Sequence, residues 1–224
     1  MNKPSLGVIT YNVAHLKTEQ VLKKIIEQDS FSEITVFLID FKPRKAREVY
    51  FHHRPDQFKL NPQLTISKIH NLNSYNWDME GELPIDCDYN IITGAGLIPE
   101  KAIGSKKIIN CHPGIIPLSK GLDSFKWSII EKLELGVTLH YIDAKVDEGE
   151  IISIERTPVY ATDTLDDLAR RHYEIEINML SNFMRYFGKP FECYEDGVPK
   201  MRMPFEKEKF LKKEFAEYKE MFGK

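Results

Sequence analysis

The sequence predicts an α/β fold: a mostly parallel, twisted sheet flanked by helices, followed by a short C-terminal hairpin/helix appendage. Two observations carry this reading. The first is a strand–helix–strand unit, with apolar runs at 6–10 and 34–39 around a segment, 18–28, whose apolar positions are Val21, Leu22, Ile25 and Ile26. Such a unit closes as a parallel pair with a right-handed crossover. The second is the later alternation of strand-like runs, at 88–93, 108–109, 137–142 and 151–156, with a long amphipathic pattern over 164–187. Residues 1–187 read as one domain and 188–224 as a small appendage.

Each element has its own local signal. Thr18 is the expected cap of the first helix. The turn before it, Tyr11-Asn12-Val13-Ala14-His15, lies at the carboxyl end of the first strand, where open α/β sheets bind ligands. Residues 40–56 carry Lys42, Arg44, Lys45, Arg47, His52, His53 and Arg54. That cluster reads either as a solvated surface or as a place to meet a pyrophosphate. Residues 58–83 show no decisive period. Gly94 and Gly96 make a tight turn after the strand at 88–93, and Pro99 starts a helix. A further helix runs over 123–132 and carries Trp127, whose apolar neighbours Ile129 and Ile130 suggest a core position. His140, within an alternating strand, reads as structural. Asp163 is the expected opener of the helix at 164–187. Asp196-Gly197 between 191–194 and 198–201 signals a hairpin, and 206–222 has helical spacing.

Composition narrows the function. The net charge of −3 argues against a protein that grips nucleic acid by its phosphates. The three cysteines, Cys87, Cys111 and Cys193, form no metal or redox spacing and suggest a reducing compartment. No signal-like segment or membrane-length apolar run is present, so a cytoplasmic protein that neither spans nor lies on a membrane is expected.

The chemistry concentrates in Ile109-Asn110-Cys111-His112-Pro113-Gly114-Ile115-Ile116-Pro117. Residues two apart on a strand point the same way, so Asn110 and His112 reach one space. Pro113 and Pro117 stop the segment from continuing as sheet. An amide can donate to a developing oxyanion, and an imidazole can move a proton near neutral pH. Asp147, in the turn Val146-Asp147-Glu148-Gly149, supplies a carboxylate that can orient the imidazole. Asp143 is a rival for that place, but only Asp147 is followed by the Gly149 turn.

With Asn-x-His-Pro-Gly-x-x-Pro, then Gly-Val-Thr-Leu-His-Tyr at 136–141 and Asp-x-Gly-x-Ile-Ile at 147–152, the chain resembles the folate-dependent formyltransferase family. The resemblance covers about residues 88–180; the first eighty match only as a general α/β pattern. It implies a Rossmann-like catalytic domain over 1–187 and a catalytic triad of Asn110, His112 and Asp147. It implies 10-formyltetrahydrofolate as co-substrate, in a pocket made by Gly94, Gly96, Leu97 and Ile98 with Ile142, Asp143 and Val146. No metal is required.

Within that family the acceptor is narrowed by elimination. The purine-pathway enzymes hold a phosphate on a Gly-rich turn after the first strand, whereas this chain has no glycine between Gly7 and Gly81. Methionyl-tRNA formyltransferases carry a further C-terminal domain. An amino-sugar nucleotide of surface polysaccharide (O-antigen) synthesis is therefore the expected acceptor. It would meet Tyr11, Asn12, Lys42, Arg44, Arg47, Arg54, Lys120 and Trp127, its pyrophosphate held by the basic side chains. A glycinamide ribonucleotide transformylase, a formyltetrahydrofolate hydrolase and a silent folate- or nucleotide-binding module are the alternatives. The base and sugar are not legible, and a homodimer stays open.

Overall fold

The computed structural model describes residues 3–43, 45–58, 72–143 and 147–224. Its described strands form one sheet in the order β3-β2-β1-β4-β5-β6-β7. They are β1 (Ser5–Tyr11), β2 (Glu33–Ile39), β3 (Asn73–Asn76), β4 (Tyr89–Ile92), β5 (Ile108–His112), β6 (Gly136–Tyr141) and β7 (Ile151–Arg156). The first five pair in parallel. β6 and β7 add antiparallel, β6 lying against β5. The mostly parallel sheet with flanking helices is the fold class read from the sequence. Strand order reverses between β2 and β4 on either side of β1, the place where such sheets open a crevice at their carboxyl ends.

One face of the sheet is covered by α1 (Leu16–Gln28) and a long helix, Leu165–Ser181. Leu6, Val8, Ile91, Ile109, Cys111, Val137 and Leu139 of the strands pack there against Val21, Leu22, Ile25, Ile177 and Leu180. The other face buries Ile9, Phe37, Ile39, Ile92 and Ile108 against Trp77, Leu83 and Ala102, the last on the short α2 (Glu100–Ile103). A third cluster joins α3 (Ser124–Ile130) and the start of α4 (Leu165–Ser181) to Met203, Leu211, Phe215 and Tyr218 of the C-terminal region. That region holds α5 (Phe205–Glu208) and α6 (Leu211–Phe222).

Three local expectations are corrected. Thr18 does not cap α1: its hydroxyl joins a buried network with Thr10, His15 and Thr93 at 2.6, 2.8 and 2.9 Å. The first amides of α1, from Leu16 and Lys17, donate instead to the backbone and side-chain oxygens of Gln57. Asp163 does not open α4, because its carboxylate takes a two-pronged grip from Arg171 at 2.7 Å for each bond. Thr164 caps the helix, in a capping box with Asp167. The hairpin expected around Asp196-Gly197 does not form. Gly197 donates to Pro117 O and Lys200 bridges to Gly121, so backbone groups that would have paired within a hairpin pair with another loop.

Glu176 of α4 is fully buried between Lys17, 2.6 Å away, and Arg54. Burial alone would raise its carboxyl, but Arg54 and Lys17 outweigh that and hold it at about 2, against 4.5 for a free carboxyl. A depressed folded value means the stabilisation is complete above about pH 4.5 and is lost as pH falls through about 2. We therefore expect Glu176→Gln to cost about 3–5 kcal/mol at neutral pH, since it leaves two cations facing a neutral group. Denaturant melts at pH 7 and pH 3 check this: the gap between wild type and variant should narrow at the lower pH.

Candidate active site

β5 delivers Asn110 and His112 to one face of the sheet and Cys111 to the other, where it packs in the core with its Sγ 3.6 Å from Glu176 O. Burial pushes the Cys111 thiol up, so it is an inert core group and not a nucleophile. The antiparallel register sets Asn110 opposite His140 and His112 opposite Thr138. Residues so paired on one face are in contact range.

The His112 ring is buried, and oxygens meet both of its nitrogens. Nε2 lies 2.9 Å from Ser119 O and 3.2 Å from Ser124 Oγ. Nδ1 lies 3.4 Å from Asp147 Oδ2. A carbonyl can only accept, so Nε2 carries hydrogen, while the Asp147 carboxylate stands beside Nδ1. Gly114 makes this arrangement possible: a Cβ there would stand 2.5 Å from Ser119 O and 2.7 Å from His112 Nε2. Thr138 fixes the same turn by donating to Gly114 O at 2.7 Å and accepting from Ile116 N at 2.9 Å.

Asp147 occupies the left-handed region, with φ 54°, which Asp tolerates better than most residues. Its Oδ2 also accepts from Gly121 N at 2.9 Å, and its Oδ1 is 4.0 Å from His140 Nε2. His140 Nδ1 donates to Tyr141 O at 3.0 Å, which leaves Nε2 to accept from Asn110 Nδ2 at 3.2 Å. Burial, with nearby His112, lowers His140 to about 4 against the pull of Asp147, so it is neutral and a good acceptor at physiological pH. One amide hydrogen of Asn110 is thus directed into the protein and the other is left for a substrate oxygen. The sequence reading treated His140 as structural only. Its signal was its place opposite Asn110, which required the register.

The remaining candidates divide. Gly94 is buried beneath Tyr11 and His15, with room for no Cβ: His15 would lie 2.9 Å away. Gly96 is open, Leu97 is 77% exposed, and Ile98 and Ile142 rest on the core beneath them. Asp143 is exposed, while Val146 and Arg44 lie outside the described residues. Tyr11 packs edge-on to His15 and Phe41. The amide of Asn12 is committed to Asp40 at 2.7 Å and to Phe41 N at 3.1 Å, tying the ends of β1 and β2.

The basic cluster reads differently in space. Arg47 binds Met203 O at 2.7 Å, Asp123 at 3.0 Å and Glu208 at 3.1 Å. Arg54 pairs with Glu176, and Lys120, 4% exposed, pairs with Asp196 at 2.9 Å and Glu148 at 3.4 Å. These three are engaged by carboxylates of the protein itself. Trp127 is likewise in the core, its Nε1 donating to Met201 O at 2.8 Å. Lys42 alone of the described candidates is exposed and shows no ion pair. Among the described residues no group of three His, Cys, Asp or Glu side chains is placed to hold a metal ion, and no helix is long and apolar enough to cross a membrane.

An Asn, a His and an Asp converging at the carboxyl end of β5 coincide with a match of residues 67–184 to the formyl transferase family model. The chain belongs to the formyl transferase family. It is 27% identical over 124 residues to a dTDP-4-amino-4,6-dideoxyglucose formyltransferase of Mycobacterium bovis, covering 55% of this chain and 50% of that one. It is 28% identical over 82 residues to the phosphoribosylglycinamide formyltransferase of Haemophilus influenzae, covering 36% of this chain and 39% of that one. The chain thus spans half or less of the length of these relatives. Its fold is similar to that of a 4-N formyltransferase from Francisella tularensis, with a TM-score of 0.59 at 21% identity over 89% of this chain and 77% of the other. A formyltransferase from Anoxybacillus kamchatkensis, solved with UDP-4,6-dideoxy-4-formamido-L-AltNAc and tetrahydrofolate, gives 0.53 at 20% identity over 92% and 89%.

If His140 is the neutral acceptor of the Asn110 amide, its ring nitrogen shifts stay flat from about pH 8 to about pH 5.5, where an ordinary histidine would be largely protonated. Nitrogen-15 NMR of histidine-labelled protein, with His140→Gln for assignment, measures this.

Proposed function

We propose that this protein transfers a formyl group from 10-formyltetrahydrofolate to the amine of a nucleotide-linked amino-dideoxy sugar. The observation that carries the formyl-transfer part is the convergence of Asn110, His112 and Asp147, in a family member, at one strand end. The amine attacks the formyl carbon. Asn110 donates its free amide hydrogen to the oxygen that becomes negative, and His112 adds positive charge beside it. Asp147 holds His112 and accepts, directly or through water, the proton that the amine sheds on attack. The tetrahydrofolate nitrogen then leaves with a proton from the same pair. The exposed Leu97 and the half-buried Ile98 and Ile142 supply the apolar surface that the folate would use.

The acceptor class is supported by Gln57. A phosphate on the turn after β1 would need the free amides of the α1 N-terminus. Here the Leu16 and Lys17 amides are already taken by Gln57, at 2.9 and 3.1 Å. That closes the obvious seat for a ribose phosphate and favours the sugar-nucleotide reading, in line with the mycobacterial relative and the solved sugar formyltransferases. Placement in surface-polysaccharide synthesis follows from that acceptor class.

Two outcomes are expected. Release of tetrahydrofolate from 10-formyltetrahydrofolate should require an amino-sugar nucleotide. Efficient turnover with glycinamide ribonucleotide alone would reassign the acceptor, and release with none would make the protein a hydrolase. Separately, His112→Ala and Asp147→Asn should each lower kcat by about 100- to 10,000-fold with the fold retained by circular dichroism. Near-normal turnover in either would remove that residue from its role.

A further inference from the structure

Residues 117–124 form the loop that contains the triad's supports. Ser119 O takes the His112 Nε2 hydrogen, Gly121 N binds Asp147, and Ser124 Oγ lies against the same ring nitrogen. On its far side the same loop is bound, almost residue by residue, by a segment nearly eighty positions later in the chain. Gly197 N donates to Pro117 O at 2.9 Å, Lys200 N to Lys120 O at 3.0 Å, and Leu122 N to Lys200 O at 2.8 Å. Met203 N donates to Asp123 Oδ2 at 3.0 Å, and the Lys120 ammonium reaches Asp196 at 2.9 Å. We infer that residues 196–203 are a strap that positions the His112–Asp147 pair, with Gly197, Lys200 and Asp196 as its positioning residues.

The contact is built to be close. Gly121 has φ +91°, and a Cβ there would stand 2.2 Å from Lys200 O. A Cβ on Gly197 would stand 2.0 Å from Leu118 O. Backbone lies on backbone, with no side chain to give way. The strap is itself fixed: Trp127 donates to Met201 O, Arg47 to Met203 O, and the Met203 side chain is fully buried. Beyond Asp196 and Met203 the contact is made by backbone, for Val198 and Met201 remain 73% and 78% exposed. Without the strap, the Pro117 and Lys120 carbonyls lose their donors. The loop then gains freedom at the residues that set the two bonds to His112 and Asp147. Sub-ångström placement of such a pair matters, since a shift of about 1 Å can cost about 100-fold in rate.

Any effect on rate rests on the formyl-transfer reading; the geometric claim does not, and the test separates them. The His112 Nε2 hydrogen, bonded to Ser119 O, is followed by proton NMR and assigned by its loss in His112→Gln. Gly197→Ala forces the strap off the loop, and Val198→Ala changes the strap without touching the loop. We expect solvent exchange of the His112 signal to quicken at least about tenfold in Gly197→Ala and to stay within about twofold of wild type in Val198→Ala. If Gly197→Ala does not fold, Asp196→Asn takes its place, with about a threefold quickening expected. Unchanged exchange in a folded Gly197→Ala, or in Asp196→Asn where that stands in, overturns the inference. Where the wild type turns over, Gly197→Ala should lower kcat about 10- to 100-fold with both KM values within about twofold. A wild type with no turnover on any acceptor defeats the functional reading while the exchange result still decides the strap.

Discussion

The imidazole of His112 has oxygen at both nitrogens, and most of the surrounding structure follows from keeping it so. Ser119 O must approach one side of the ring, which requires that Gly114 have no side chain. Asp147 must approach the other, which places a non-glycine residue at positive φ and needs Gly121 N to hold the carboxylate in place. Buried polar groups such as these are stable only when their remaining hydrogen-bonding capacity is also met. Ser124, Gly121 and Ser119 meet it from a single loop, so one segment controls both halves of the pair. That loop lacks regular structure of its own and borrows order from the backbone laid across it.

The sheet supplies the other constraint. Its strands are parallel as far as β5 and then reverse direction at β6, which brings the β6 side chains into direct opposition with those of β5. Asn110 faces His140 and His112 faces Thr138 as a result. A slip of one residue would put Cys111 in the site and bury Asn110 and His112 in the apolar layer under α4. Ile109, Cys111, Val137 and Leu139 on the core face resist that slip through the area they bury. The hydrophobic core thus selects the register, and the register selects which amide and which imidazole face the candidate site.

The parallel sheet, its helices and the convergence of Asn110, His112 and Asp147 were legible because each rests on a short-range pattern: apolar periodicity, the two-residue repeat of a strand, a glycine turn. What was not legible depends on partners distant in the chain or on backbone atoms. Ser119 acts through its carbonyl, and Gly197 and Lys200 act through amides, groups that every residue has. His140 could be placed on a strand, but its duty toward Asn110 appeared only with the pairing. The Asp196-Gly197 signal did not produce a hairpin, because Gly197 and Lys200 pair with the loop at 117–122. Thr18 looked like a cap because caps are local, whereas the actual partner of the α1 amides is Gln57, some forty residues on.

The basic residues show the same limit most sharply. In sequence, Arg47 and Arg54 are positive charges just past a strand end, with Glu48 and Asp56 the nearest acids along the chain. In space, each meets a carboxylate that is almost wholly buried: Glu208 for Arg47, and Glu176 for Arg54. Glu176 carries two cations and Glu208 receives Lys126, Arg47 and the Tyr50 amide, so both acids are neutralised by design of the fold. An incoming diphosphate that claimed either arginine would take one cation from a buried carboxylate and leave it to Lys17 or Lys126 alone. Under the proposed sugar-nucleotide reading, the acceptor's charge meets groups the fold has not already engaged. The exposed Lys42, beyond the end of β2, is one such group, and unspent backbone amides at the carboxyl edge of the sheet are the other source. On that proposed reading, the bonds from the Leu16 and Lys17 amides to Gln57 move the anchoring away from the β1 turn.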